Sequence, residues 1–227
     1  MGAMATALAL TLLLSDFFSL AELRVLPSRD EPFGVTKVVS PEGHITAEWR
    51  KLMRNLQVEL SEVKRCRAIP GECTRRARQF EAIVNEAKGK QGLAKIAFVN
   101  ERVNGAIRYA SDRAGDTWAL ALATLTKSAG DCEDYAIAKY AALHQAGVPD
   151  ADLRLVLVHD TAVRIDHAVL AVHHDGQWLI LDNRWNALRP AKELKQFKPL
   201  FIVERHGVSL LSKMFRLDGR PVVPSAR

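Results

Sequence analysis

Gly130-Asp131-Cys132-Glu133-Asp134-Tyr135-Ala136-Ile137-Ala138-Lys139-Tyr140 is where the pattern of the chain changes. From Cys132 to Gln145 the sequence is rich in Ala and places Ala136, Ile137, Tyr140, Ala141 and Leu143 largely on one side. This spacing predicts a helix, stopped by Gly147 and Pro149. Beyond it the helical period disappears. Leu153–Val158, His167–Val172 and Gln177–Leu181 are short runs rich in Val, Ile and Leu, parted by turns such as His174-Asp175-Gly176. Phe201–Val203 reads as a further strand.

Working back toward the N-terminus, apolar residues recur at three- and four-residue steps. Trp49, Leu52, Met53, Leu56, Leu60 and Val63 form one stripe, in a helix that begins at Thr46. After the Pro70-Gly71 turn, Phe80, Ile83, Val84 and Ala87 form a second. Past the break at Gly89–Gly92, Ile96, Val99, Val103 and Ile107 form a third. N-terminal helices followed by an antiparallel sheet define an α+β fold.

A chain of 227 residues, 48% of them hydrophobic, can bury one sizeable core. The formal net charge of +6 is scattered, apart from Lys64, Arg65, Arg67, Arg75, Arg76 and Arg78. No aromatics interleave with that cluster and no nucleic-acid motif is present, so a nucleic-acid partner is not expected. The cluster reads as a solvated helical face or as a patch for an acidic partner or membrane head groups.

Residues 1–21 read as a signal peptide. Ala3 to Leu14 is an apolar run too short to span a bilayer, which needs ~20 apolar residues, and Ser19-Leu20-Ala21 resembles a cleavage site. No Lys or Arg precedes the run, so an ordinary buried helix stays open. Residues 22–45 read as an irregular lead-in, 46–205 as the folded domain and 206–227 as a tail. Cys66 and Cys73 flank Ala68-Ile69-Pro70-Gly71 and could pair in an oxidising compartment. Two reduced thiols are the alternative. Cys132 is then the odd cysteine.

A thiol at a helix N-terminus gains from the free N–H groups and the positive end of the dipole. Asp131 suits the N-cap. A histidine in an apolar strand (His167) and an aspartate closing the next (Asp182) follow it. Cysteine, histidine and aspartate on a helix start and two strands match a thiol nucleophile, its base and the carboxylate that orients the base. Taken alone, His167 reads as a core histidine and Asp182 as a cap for the turn at Asn183. The acids Asp131, Glu133 and Asp134 oppose thiolate formation, which calls for a cation nearby, a metal ion being one candidate. No Gly-x-Ser-x-Gly elbow, His-Glu-x-x-His helix or phosphate-cradling loop is present.

The block Gly130–Ala136, with Val99-Asn100, Val103-Asn104 and Asp116-Thr117-Trp118 upstream and His167-Ala168-Val169-Leu170 and Leu181-Asp182-Asn183 downstream, resembles the bacterial transglutaminase-like cysteine proteases. The resemblance covers roughly residues 45–205. It implies a papain-like or transglutaminase-like core, with Cys132 as nucleophile, His167 as base and Asp182 as orienter. It further implies calcium held by Asp131, Glu133 and Asp134, acids suited to a hard cation. Relatives of this kind are periplasmic. They cleave a large cell-surface adhesin near its N-terminus, after a pair of alanines, and are restrained by an inner-membrane receptor for cyclic diguanylate. Cleavage releases biofilm cells. One departure stands out. Relatives tend to have an aromatic before Trp118 and a Pro and Glu after it, whereas this chain has Thr117 and Ala119-Leu120-Ala121-Leu122. The reading is a calcium-dependent cysteine endopeptidase. Acyl transfer to an amine on the same core, or a non-catalytic calcium-binding module, are the alternatives.

Overall fold

The computed structural model describes residues 31–35, 37–39, 44–111, 117–205 and 207–211. The apolar run at 3–21, Asp116, His206 and the segment after 211 lie outside the described residues.

Among the described residues five α-helices form: α1 His44–Ala68, α2 Arg75–Lys88, α3 Gly92–Ala106, α4 Ala121–Lys127 and α5 Cys132–Gln145. Nine strands accompany them: β1 Lys37–Val39, β2 Arg108–Tyr109, β3 Ala129–Gly130, β4 Leu153–Asp160, β5 Ile165–His174, β6 Gln177–Leu181, β7 Arg189–Pro190, β8 Phe197–Glu204 and β9 Gly207–Leu211. Seven strands make an antiparallel sheet in the order β1-β9-β8-β4-β5-β6-β7, while β2 and β3 pair in parallel as a separate ribbon. The sheet is wider than residues 46–205 allow. Part of the expected lead-in (β1) and part of the expected tail (β9) pair with each other, and β9 pairs with β8. Both are short, and their partner is far away in sequence, so period alone does not reveal them.

Alternation along the strands divides the core in two. Leu153, Leu155, Leu170, Val172, Leu179 and Leu181 face the helices. Val156, Val158, Val169, Ala171, Trp178 and Ile180 face the other way, under Ala191, Leu194 and Phe197. With both faces covered, the strands read as continuous apolar runs rather than as a half-polar alternation. The stripes of α1, α2 and α3 are buried as their spacing requires. Trp49 shows how the helical layer is keyed to the sheet: its Nε1–H donates to the carbonyl of Glu204 at 2.8 Å, and its ring meets Trp118 and Tyr140 edge-on.

Helix α5 departs from the one-sided pattern. It is buried almost all round from Glu133 to Leu143, between α2, α3 and α4 on one side and the sheet on the other. Its many alanines let neighbours approach closely from every direction. The turn between α1 and α2 is closed by a Cys66–Cys73 disulfide, and Thr74 caps α2 by accepting the Ala77 N–H. The basic cluster there is exposed, with Arg67 paired to Glu81 and Arg76 to Glu62. No helix among the described residues is long and apolar enough to cross a membrane.

One buried acid in α1 sets a pH response. Glu59 accepts the Leu122 N–H at 3.0 Å, satisfying the start of α4. Burial pushes its pKa up to about 7, against the lowering effect of the backbone bonds from Leu122 and Ala123. The folded state therefore holds this proton more tightly than the unfolded chain. The stabilisation is fully present below the unfolded value near 4.5 and is lost as pH rises through about 7. Glu59→Gln keeps the acceptor and removes the charge. The variant should match wild type in stability below about pH 4.5 and exceed it increasingly as pH rises toward 7, the difference in unfolding free energy levelling off at about 3 kcal/mol. Scanning calorimetry across that range measures it, and a gap independent of pH would refute the assignment.

Candidate active site

Cys132 opens α5, directly after the ribbon strand β3. Asp131 occupies the N-cap position with extended backbone, but its side chain makes no capping bond. The carboxylate that locks this corner is Asp134, whose Oδ1 accepts the Ala119 N–H at 2.8 Å. It thereby fixes the segment before α4, which includes Trp118, to the first turn of α5.

Cys132 and His167 line one cleft of about 230 Å³, together with Trp118, Tyr109, Asp131 and Glu133. Asp166 adds a third carboxylate, and among the described residues no Lys or Arg lines the cleft. The thiol donates to Glu133 Oε2 at 3.1 Å. Burial, then the charge of Glu133, pushes the thiol pKa up to about 12; a backbone bond from Ala168 opposes this, and Asp131 adds to it. The difficulty visible in the sequence is thus physical. Burial first, and then the acids around Cys132, favour the thiol over the thiolate.

His167 lies on β5, beside Ala168. Its Nε2 meets Asp182 Oδ2 at 3.0 Å, with both residues buried. If Nε2–H donates to the carboxylate, Nδ1 is the ring nitrogen left to take a proton. The imidazole stands edge-on to Phe197, 6.2 Å between ring centroids, which limits its rotation. Asp182 follows β6 and has several donors. Arg184 gives it a backbone N–H at 2.9 Å and a guanidinium contact at 2.9 Å, and also reaches Asp160 Oδ2 at 2.8 Å. Burial pushes the Asp182 carboxyl up, but the bonds from His167 and Arg184 outweigh it and hold the pKa at about 2. The two sequence readings of Asp182 coexist: it caps its own turn through the Arg184 N–H and bonds His167.

Reasoning from sequence missed the supports. Arg184 stands two residues after Asp182, a spacing that could have drawn notice. Asp160 closes β4 far away in sequence and gives no local signal. Asn100 and Asn104 were noted only within the resemblance, and here they acquire a task. Asn104 Nδ2 donates to the Asp182 carbonyl at 3.1 Å, while Asn100 Nδ2 holds the carbonyls of Trp185 and Asn186. From α3 they pin the loop that begins at Asp182. His173 and His174, beside the turn after β5, are half-buried, His173 packing edge-on against Trp178.

For a cation, the donor chemistry of Asp131, Glu133 and Asp134 is suitable, because all three are carboxylates and all are buried. They are not gathered around one point. Glu133 turns to Cys132 and Asp134 to Ala119. Among the described residues no three His, Cys, Asp or Glu side chains stand at metal-binding spacing.

A buried helix presenting a free cysteine beside an antiparallel sheet with a paired histidine and aspartate is the papain-like α+β architecture of thiol proteases. The chain belongs to the bacterial transglutaminase-like cysteine proteinase family, BTLCP, whose model matches residues 56–196. It is a cysteine protease. The calcium-bound structure of Legionella pneumophila LapG is 24% identical, with a TM-score of 0.59, covering 66% of this chain and 88% of that one. A second structure of the same LapG is 22% identical, with a TM-score of 0.55, covering 77% and 90%. An EGTA-treated form matches at 22% and 0.55, covering 77% and 87%. At such identities the likeness is one of fold. No match was found among curated protein sequences.

Proposed function

We propose that this chain is a calcium-dependent periplasmic cysteine endopeptidase with Cys132 as nucleophile, His167 as base and Asp182 as its orienting carboxylate. The observation that carries the reading is the buried His167–Asp182 bond at 3.0 Å, with His167 lining the same cleft as the lone free thiol. His167 Nδ1 takes the thiol proton as sulfur attacks the peptide carbonyl, and returns it to the leaving amine. Backbone N–H groups at the start of α5 face the developing oxyanion.

Asp131, Glu133 and Asp134 are the candidate calcium ligands, with Asp134 Oδ1 kept on Ala119. A bound dication would offset the carboxylates that add to the effect of burial on the Cys132 thiol. Support for calcium comes from the donor set, from a cleft lined by three carboxylates with no Lys or Arg among the described residues, and from the calcium-bound and EGTA-treated states in which LapG was solved.

The substrate we propose is a large surface adhesin, cut near its N-terminus, with an inner-membrane cyclic-diguanylate receptor as inhibitor and biofilm release as the outcome. An adhesin N-terminal fragment incubated with the enzyme should be cleaved, and Cys132→Ala should abolish cleavage with an unchanged melting temperature. EGTA should suppress cleavage and added calcium restore it. Cleavage by the Cys132→Ala variant would end the triad reading. Indifference to EGTA would remove calcium alone.

A further inference from the structure

On the sheet face turned away from the helices, a cavity of about 370 Å³ opens between Phe33 of the lead-in, residues 191–195 and the start of β8. That volume falls in the range of roughly 300–1,000 Å³ common to small-molecule sites. The cleft at Cys132 is smaller, at about 230 Å³. Apart from Lys192, Lys195 and Lys198, every side chain lining the cavity is apolar. Among the described residues no carboxylate lines it, and Glu193, between Lys192 and Leu194 in sequence, stays outside.

The backbone at its edge is strained. Phe33 is held at φ 65° and ψ 14°, a left-handed conformation that is rare and costly for a bulky side chain. The ring so placed packs against Phe197, 6.2 Å between centroids, and forms part of the cavity wall. The lysines are exposed, and Lys198 Nζ donates to the carbonyl of Lys195 at 3.0 Å, which draws its ammonium toward the other two.

We propose that this cavity binds a single-chain aliphatic carboxylate, its chain lying against Phe33, Leu194, Phe197 and Leu200 and its head group meeting Lys192, Lys195 and Lys198. The charges are complementary: three cations and no anion surround an apolar space. A lysine carries its charge at the end of an apolar stem, so it can wall the chain and reach the head group at once. A peptide fits less well. No Ser, Thr, Asn or Gln among the described residues lines the cavity to bond a peptide backbone, and Pro199 removes an N–H from the strand beside it. The site stands apart from the triad reading, although Phe197 also stands edge-on to His167.

The test is isothermal titration calorimetry on the full chain with octanoate, decanoate and dodecanoate, below the concentrations at which they form micelles. Dodecyltrimethylammonium supplies the same chain with a cationic head. Affinity should rise about fourfold with each methylene, the ratio expected for burying one. Dodecyltrimethylammonium should bind at least about tenfold more weakly than dodecanoate. The variant Lys192→Gln/Lys195→Gln/Lys198→Gln should lose about tenfold in dodecanoate affinity at an unchanged melting temperature, as three exposed ion pairs would give. Leu200→Trp fills the cavity and should abolish binding, and Val35→Trp serves the same purpose should that variant fail to fold. No binding of any carboxylate, or equal affinity for the two head groups, would overturn the site. Dodecanoate binding that the filling variants leave unchanged would place it elsewhere. Binding to phosphatidylglycerol vesicles with none to free dodecanoate would assign the lysines to a membrane surface and overturn it as well.

Discussion

Asp182→Asn should lower kcat by about 10²–10⁴-fold while leaving KM nearly unchanged. The reason lies in donor counting. Asp182 accepts from His167 Nε2, from the Arg184 backbone and from the Arg184 guanidinium. It is an acceptor on both oxygens, and an amide offers only one. Keeping the amide oxygen on Arg184 turns the NH₂ group toward His167 and forces the ring proton onto Nδ1, the nitrogen needed to receive a proton from the thiol. Turning the oxygen to His167 instead keeps the guanidinium contact and sets the NH₂ group against the Arg184 backbone N–H. Either orientation leaves donors opposed in a buried place, at a cost of about 1–3 kcal/mol of stability. The loss of rate should far exceed what that destabilisation explains. Steady-state kinetics on the folded variant decides it, and a kcat within threefold of wild type would remove Asp182 from the machinery.

The parts of this site legible in sequence are those with a local cause. Cys132 was visible because a thiol at the first turn of an Ala-rich helix is chemically unusual, and Asp182 because a carboxylate closing an apolar strand interrupts the pattern. The helices were legible from their stripes and β4, β5 and β6 from their apolar runs. What stayed hidden depends on distant chain. The β1 and β9 strands exist only as each other's partners and β8's. Helix α4 is seven residues long and has no stripe of its own; its start is held by Glu59 of α1. Lys139 reads in sequence as an ordinary exposed helix residue, and its burial follows from α5 being enclosed on all sides. Asp131 was expected to cap α5. The carboxylate with a corner-locking bond is Asp134, because the segment before α4 brings an unpaired N–H within its reach.

That corner gives the other large effect, at Gly130. A Cβ placed there would lie 2.5 Å from Asp134 Oδ2 and 2.7 Å from Asp134 Cβ. The clash involves the base of a side chain on a buried helix, not the free end of a flexible one. Neither side can yield cheaply. Gly130 is held in the ribbon opposite Tyr109, with its carbonyl accepting the Ala110 N–H at 2.8 Å, and Asp134 is held by Ala119. Gly130→Ala should therefore force β3 and the first turn of α5 apart, destabilising the fold by about 1–3 kcal/mol. Cys132 moves with that turn. A displacement of about 1 Å at the nucleophile is enough to lower kcat roughly 10²-fold. The cause can be isolated with a double-mutant cycle. Asp134→Ala alone loses the Ala119 bond and should destabilise on its own. In the Gly130→Ala/Asp134→Ala protein the approach to the carboxyl group is gone while that to Cβ remains, so part of the strain is relieved and the protein should be more stable than the two separate losses add up to. Additive losses in urea denaturation would mean that the glycine is required for some reason other than the approach of Asp134.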